Sequence, residues 1–131
     1  MSAIGRIIGW KLDRDQRERL LEQFPPRYAN VIADHVTLKT NSEREELPGP
    51  AAAAIVGRAD DEDSLECLVV TINGTTDRPD GSTFHITWSL DKSKGREARE
   101  SNAVLKEKGW ARLGLTIRPV LRSRMRFSKR A

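Results

Sequence analysis

Asp34-His35-Val36-Thr37-Leu38 and Phe84-His85-Ile86-Thr87-Trp88 hold both histidines of the chain. In each stretch the imidazole is followed by a β-branched aliphatic residue, a threonine and a large apolar residue. With eight threonines and fifteen valines plus isoleucines in 131 residues, the same pattern after both histidines is a chance event of order ~10⁻⁴ or less. A period of two predicts a β-strand at both places. His35, Thr37 and Lys39 then share one face, with Val36 and Leu38 on the other. His85, Thr87 and Ser89 likewise share a face, and Phe84, Ile86, Trp88 and Leu90 fill the opposite one.

Outward from these two strands, the flanking segments read as short elements of both kinds. Ile4 to Leu12 is β-branched and carries Trp10, a strand. Asp13 is an N-cap for a helix over Arg14 to Phe24, whose apolar stripe is Leu20, Leu21 and Phe24 and which Pro25-Pro26 ends. Val31 to Thr40 is the strand of the first histidine, followed by a polar loop from Asn41 to Pro50. Ala51 to Ala59 and Leu65 to Ile72 form a hairpin around Asp60-Asp61-Glu62-Asp63-Ser64, a solvated acidic tip. A turn-rich loop, Asn73 to Ser82, leads into the second histidine strand, Thr83 to Leu90. Ser93 to Lys108 is a charged helix with a thin buried face of Ala98, Ser101, Asn102 and Leu105. Leu113 to Phe127 returns to strand, and Pro119 places it at an edge or a bulge. The order β-α-β-β-β-β-α-β predicts an α+β domain over residues 1–131, with helices on an antiparallel or mixed sheet.

Composition excludes whole classes. The 14.8 kDa chain is 37% apolar and 32% charged, as a globular domain with a small core requires. Its single cysteine, Cys67, forms no internal disulfide and reads as a small core residue in a reducing compartment. The longest apolar run, Ala51 to Val56, is far too short for a bilayer. No secretory leader is visible, so a cytoplasmic protein without a membrane role is expected. The net charge of +4 is uneven: residues 111–131 carry seven basic side chains and no acid, while the other 110 residues sum to −3. Such a cluster, over the basic C-terminal strand or tail 118–131, attracts phosphates or remains a solvated tail.

Imidazole is the side chain whose ordinary pKa lies nearest neutrality, so two of them supply one base and one acid. Cleaving a phosphodiester needs both: a base for the attacking oxygen and an acid for the departing one. Negative charge on the non-bridging oxygens must also meet donors already in place. A threonine two residues along the strand projects in the same direction, roughly 6.5–7 Å further on. Side by side, the two strands make a near-symmetric cradle for one phosphate, with no metal required. Two histidines lack a third ligand at a metal-binding spacing from Asp34, Cys67 or the acidic turn.

The paired His-x-Thr motifs resemble the two-histidine (2H) phosphoesterase superfamily, and within it the cyclic phosphodiesterase domain of fungal and plant tRNA ligases. The resemblance rests on Ala33 to Lys39, Asn73, Phe84 to Leu90 and Lys94-Gly95-Arg96-Glu97-Ala98-Arg99-Glu100-Ser101-Asn102, and it covers roughly positions 28–110. His35 and His85 lie closer together in the chain than the two histidines of many members. The resemblance implies two small lobes of antiparallel or mixed sheet, helices outside, and an active site in the cleft between the two His-x-Thr strands. It further implies metal- and cofactor-independent hydrolysis of a 2′,3′-cyclic phosphate on RNA ends or nucleotides, with a 2′-phosphate as product. His35 and His85 would be the acid/base pair, in unassigned order, and Thr37 and Thr87 the phosphate-holding hydroxyls.

Lys39 and Ser89 are auxiliaries from strand geometry alone. Tyr28, Trp10 and the terminal arginines are candidates to meet a base or the RNA backbone. The partner expected is RNA or a nucleotide with a 2′,3′-cyclic phosphate, with no obligate protein partner. The competing readings are a hydrolase of cyclic or 2′–5′ linked oligonucleotides, an RNA-end or nucleotide-binding module without turnover, and an accessory domain recruited through its basic tail.

Overall fold

The computed structural model describes the backbone of residues 4–42, 48–49, 51–119 and 121–129, and the side chains of 7–39, 48–49, 51–114, 116–119 and 121–122. In chain order the elements are β1 (Ile4–Leu12), α1 (Arg14–Gln23), β2 (Asn30–Val31), β3 (His35–Ser42), β4 (Ala53–Asp60), β5 (Leu65–Ile72), β6 (His85–Leu90), α2 (Ser101–Lys108), β7 (Ala111–Ile117) and β8 (Leu121–Lys129). They make an α+β fold of two antiparallel sheets. The first has strand order β3-β1-β8 and the second β2-β6-β5-β4-β7. Each sheet therefore holds one histidine strand.

Asp13 caps α1 as its sequence position suggested, its carboxylate accepting from the Gln16 amide. The β4–β5 hairpin forms as expected. Three segments differ from the sequence expectation. The strand Val31 to Thr40 is broken at Ile32–Asp34, where Ala33 takes a left-handed φ of 42°. Over Ser93 to Lys108, only Ser101–Lys108 is α-helical. Before it stand two 3₁₀ turns, Lys92–Lys94 and Ala98–Glu100, separated by Gly95 at φ 80°. The strand Leu113 to Phe127 is two strands in different sheets, because proline at 119 cannot donate to a ladder and the chain changes sheets there. Within the polar stretch Asn41 to Pro50, Asn41 and Ser42 still belong to β3, and residues 43–47 and 50 lie outside the described residues.

The core lies between the two sheets. Trp10, Leu12 and Val36 from the first sheet meet Ile55, Leu68, Val70, Ile86 and Trp88 from the second, and α1 adds Leu20 and Phe24. Trp88 is fully buried, with its indole N–H donating to the Phe24 carbonyl at 2.7 Å. Trp10 is also buried, edge-on to Phe84. A smaller cluster on the other face of the second sheet packs Cys67, Val69 and Leu90 under Val104 and Leu105 of α2. Among the described residues no helix is long and apolar enough to cross a membrane.

The acidic turn is more than a solvated tip. Asp61 accepts from the backbone amides of Asp63, Ser64 and Leu65 and from the Arg96 guanidinium at 2.6 Å. Those donors hold its carboxyl well below the usual carboxylate range, against the burial that raises it. Arg96 also binds Glu100, so the turn anchors the segment 95–100 that leads into α2. Only Glu62 and Asp63 of the four acids are exposed.

Candidate functional site

The chain crosses from the second sheet to the first through Ile32–Asp34, and this crossing joins the two histidine strands. The amides of Ile32 and Ala33 donate to the Trp88 and Thr87 carbonyls of β6, and the Asp34 carbonyl accepts from Leu12 of β1. Helix α1 clasps the carbonyls of this crossing: Arg17 donates to Ala33 at 2.7 Å and to Ile32 at 3.3 Å, and Arg14 donates to Asp34 at 3.0 Å. A side chain with a positive φ is costly, and here the surrounding hydrogen bonds hold it. As a result His35 begins its strand two residues after Ala33, whose amide is bonded to the Thr87 carbonyl.

His35, Thr37, His85 and Thr87 line a single cavity of about 210 Å³, together with Ile7, Ile32, Arg78, Ala98, Arg99 and Asn102. Both strands turn their apolar sides to the shared core and their polar sides to this cavity. An adjoining, more open groove shares Ile32, His35 and Ala98 with it and is also lined by Val31, Asp34 and Lys92. Val31 is the one exposed large hydrophobic residue among those described.

The two imidazoles are oriented by different partners. The Nδ1 of His35 lies 3.0 Å from the Asp34 carboxylate, which only accepts, so Nδ1 carries a proton and in the neutral ring Nε2 is the acceptor. Asp34 also meets Lys11 at 3.5 Å and Arg14 at 3.2 Å. Its bond to His35, with these cations, holds its carboxyl well below the usual range despite partial burial. His85 Nδ1 donates to the Thr83 carbonyl at 2.7 Å, so in its neutral ring Nε2 is likewise the acceptor. Burial pushes the His85 pKa below its ordinary 6.5. The Thr83 bond opposes this, and the charges of Arg78 and His35 add to it. His85 is therefore neutral near pH 7.

The threonines also differ. Thr37 is half-buried. Thr87 is buried, with its hydroxyl 3.1 Å from the Ala98 carbonyl and 2.8 Å from the Ser101 hydroxyl. Its one proton is taken up by these neighbours, and donation to a phosphate requires the hydroxyl to turn. This bond is also what ties the segment before α2 to β6.

The auxiliary candidates lie outside the cavity. Lys39 is exposed beyond it. Ser89 is fully buried and donates to Glu66 at 2.6 Å while accepting from the Tyr28 amide. Glu66, also fully buried, is paired with Arg58 at 2.5 Å. Ser89 thus completes a buried carboxylate network, which strand alternation alone does not disclose. Tyr28 donates its hydroxyl to Asp60 at 2.7 Å, and burial together with that carboxylate pushes the phenol well above its ordinary pKa. Burial likewise pushes the Cys67 thiol up to about 12.

Sequence reasoning missed Arg78, Arg99 and Asn102 as lining residues and Asp34 as the partner of His35. Only Asp34 had a local signal, its place directly before the histidine. Among the described residues no group of three His, Cys, Asp or Glu side chains is placed to hold a metal ion. The basic C-terminal segment is a strand along its described length: β8 pairs with all of β1 from Ile4↔Lys129 to Leu12↔Leu121. That register sets Arg122 opposite Lys11 and Arg124 opposite Gly9, whose other neighbours are His35 and Thr37. Positions 122 and 124 thus share the sheet face of the first His-x-Thr motif. No protein-family model, curated protein or solved structure matches this chain.

Proposed function

We propose that the chain is a metal-independent phosphodiesterase that opens 2′,3′-cyclic phosphates on RNA ends or nucleotides, in the manner of the two-histidine phosphoesterases its motifs resemble. The observation that carries this reading is the convergence of both His-x-Thr pairs on one small cavity. Two lobes of sheet with the site in the cleft between them is the corresponding architecture.

The asymmetry of the two imidazoles supports an order of roles. His85, half-buried and neutral, takes a proton from the attacking water through Nε2. His35, whose ring borders both the cavity and the open groove and is backed by the Asp34 carboxylate, gives its Nε2 proton to the departing ribose oxygen. The new P–O bond forms in line with the one that breaks. With O3′ leaving, the product is a 2′-phosphomonoester, as in the tRNA ligase domains. The nucleoside lies in the groove beside Val31 and Ile32. A polynucleotide substrate continues over the face of the first sheet, where the register places Arg122 and Arg124.

The committed hydroxyl of Thr87 favours one other reading, a binding module that holds the RNA end without turnover. Phosphorus NMR of a 2′,3′-cyclic mononucleotide and a short RNA with a cyclic phosphate end, incubated with the protein and EDTA, decides between them. A new monoester signal with wild type, absent in His35→Ala and His85→Ala, is the expected result and names the product isomer. Binding without any new signal leaves the module.

A further inference from the structure

Among the described residues, two arginines have a buried Nε with no hydrogen-bond partner, Arg58 and Arg78. Their situations are unlike. Arg58 spends its charge on Glu66, 2.5 Å from Nη2 and fully buried. Arg78 is only 5% exposed, yet its nearest acceptors are weak: Asn102 Oδ1 lies 3.5 Å from Nη1, and Asp80 Oδ2, itself largely exposed, 3.5 Å from Nη2. A buried guanidinium costs several kcal/mol of lost hydration unless an acceptor replaces the water. This one faces the cavity that both imidazoles line.

The loop that carries Arg78 is built to hold it there. The Arg78 amide donates to the Ser82 carbonyl at 2.8 Å, and its own carbonyl accepts from Gly81 at 2.9 Å, with Gly81 in the left-handed region at φ 88°. Asp77 pairs with Thr83 across the base of the turn, and Asp80 ties down Ser82. Thr83 is in turn the acceptor that orients His85. One turn therefore places both the guanidinium and the second imidazole.

We infer that Arg78 is the phosphate-binding group of this cavity, its planar fork of N–H donors receiving the non-bridging oxygens of a phosphate ester. A guanidinium matches two such oxygens at once, whereas Thr87, the hydroxyl expected in that role, is engaged with Ala98 and Ser101. The inference deepens the proposed function and rests on it for the identity of the anion as substrate. The binding step itself needs no turnover and is measured separately.

The test is titration of the full chain with inorganic phosphate at constant ionic strength, against chloride, followed by calorimetry and by NMR of the arginine Nε–Hε and histidine ring signals. Wild type is expected to bind phosphate, with the Arg78 Hε resonance shifting on saturation and the His85 titration moving to higher pH. Arg78→Met, which keeps the apolar stem, is expected to weaken phosphate binding at least tenfold. Lys106→Met, at an exposed position of α2 outside the cavity, is expected to change it less than twofold. Unchanged affinity in folded Arg78→Met, or an equal loss in Lys106→Met, overturns the inference. Should Arg78→Met not fold, an Arg78 Hε signal in wild type that ignores saturating phosphate overturns it equally. Hydrolysis of a cyclic phosphate that survives in Arg78→Met sinks this inference and leaves the proposed function standing. Phosphate binding through Arg78 with no turnover of any cyclic phosphate does the reverse.

Discussion

The two walls of the cavity carry the same four-residue pattern in opposite surroundings. On the wall of the three-stranded sheet, His35 is partly exposed and faces a carboxylate, Asp34, that is itself ringed by Lys11 and Arg14. On the wall of the five-stranded sheet, His85 faces a backbone carbonyl and a buried guanidinium whose carboxylate neighbour, Asp80, lies 3.5 Å away and largely in solvent. One ring is backed by a carboxylate, and the other is held below its ordinary pKa by burial. A symmetric motif pair thereby becomes two unlike groups, which is what a reaction that takes a proton on one side and gives it on the other requires.

The largest expected effect tests whether both walls are needed at all. His35→Ala and His85→Ala are each expected to lower hydrolysis of a 2′,3′-cyclic phosphate by about 10²–10⁴-fold, measured as initial rates with EDTA present. A variant that keeps near wild-type rate removes its wall from the chemistry.

Asp34→Asn sharpens the contrast, since it keeps the shape and removes the charge beside His35. Losing one charge-assisted hydrogen bond, about 1.5–3 kcal/mol, corresponds to a roughly 10–100-fold fall in kcat. The acid limb of the pH–rate profile, which follows the neutral His85, is expected to stay where it is. Movement of that limb would show that the two walls titrate as one coupled unit.

The threonines separate by what they cost the fold. Thr87→Val removes one of two donors from the Ala98 carbonyl, which keeps the Ser101 amide, and one hydroxyl partner from Ser101, a loss of about 0.5–1.5 kcal/mol in urea unfolding. Thr37→Val, at a half-buried strand position, is expected to change stability by less than about 0.5 kcal/mol while lowering turnover. Equal destabilisation by both would erase the distinction between a structural and a ligand-facing hydroxyl.

His85 also predicts a stability change with pH. Its folded-state pKa lies below the ordinary 6.5, so the unfolded chain binds the proton more readily. The stability gained by keeping the ring neutral is fully present above about pH 6.5 and is lost as pH falls below it through the folded-state value. Urea midpoints at pH 7.5 and 5.5 are expected to differ in that direction, and His85→Gln is expected to flatten the slope. The depressed carboxylates Asp34 and Asp61 act in a separate window, losing their contribution as pH drops below the ordinary 3.8.

The smallest effect concerns the edge of the first wall. Arg122→Gln with Arg124→Gln, the first of which also breaks the 3.0 Å pair of Arg122 with Asp13, is expected to reduce the salt dependence of RNA-end binding by about one phosphate contact, without altering binding of a cyclic mononucleotide. A matching loss for the mononucleotide would place these residues in the cavity's own field.

Much of this architecture was legible in local pattern. Strand β1, helix α1 with its Asp13 cap, the β4–β5 hairpin and the inward faces of both histidine strands follow from period, capping and turn chemistry, all of which act within a few residues. The paired motif also singled out His35, Thr37, His85 and Thr87, the four side chains that line one cavity. Other features depend on contacts made across the fold. The break at Ala33 exists because Arg14, Arg17 and the β6 backbone satisfy the crossing segment. Ser89 serves Glu66 because the Arg27 amide and the Arg58 guanidinium close over that carboxylate while the Tyr28 amide donates to the Ser89 hydroxyl. Arg78 reaches the site from a loop whose composition announces only a turn. Local sequence determines which faces are apolar and where the chain bends. The protonation state of an imidazole and the pairing of a guanidinium depend on burial and on charges from distant segments, and only the tertiary structure sets those.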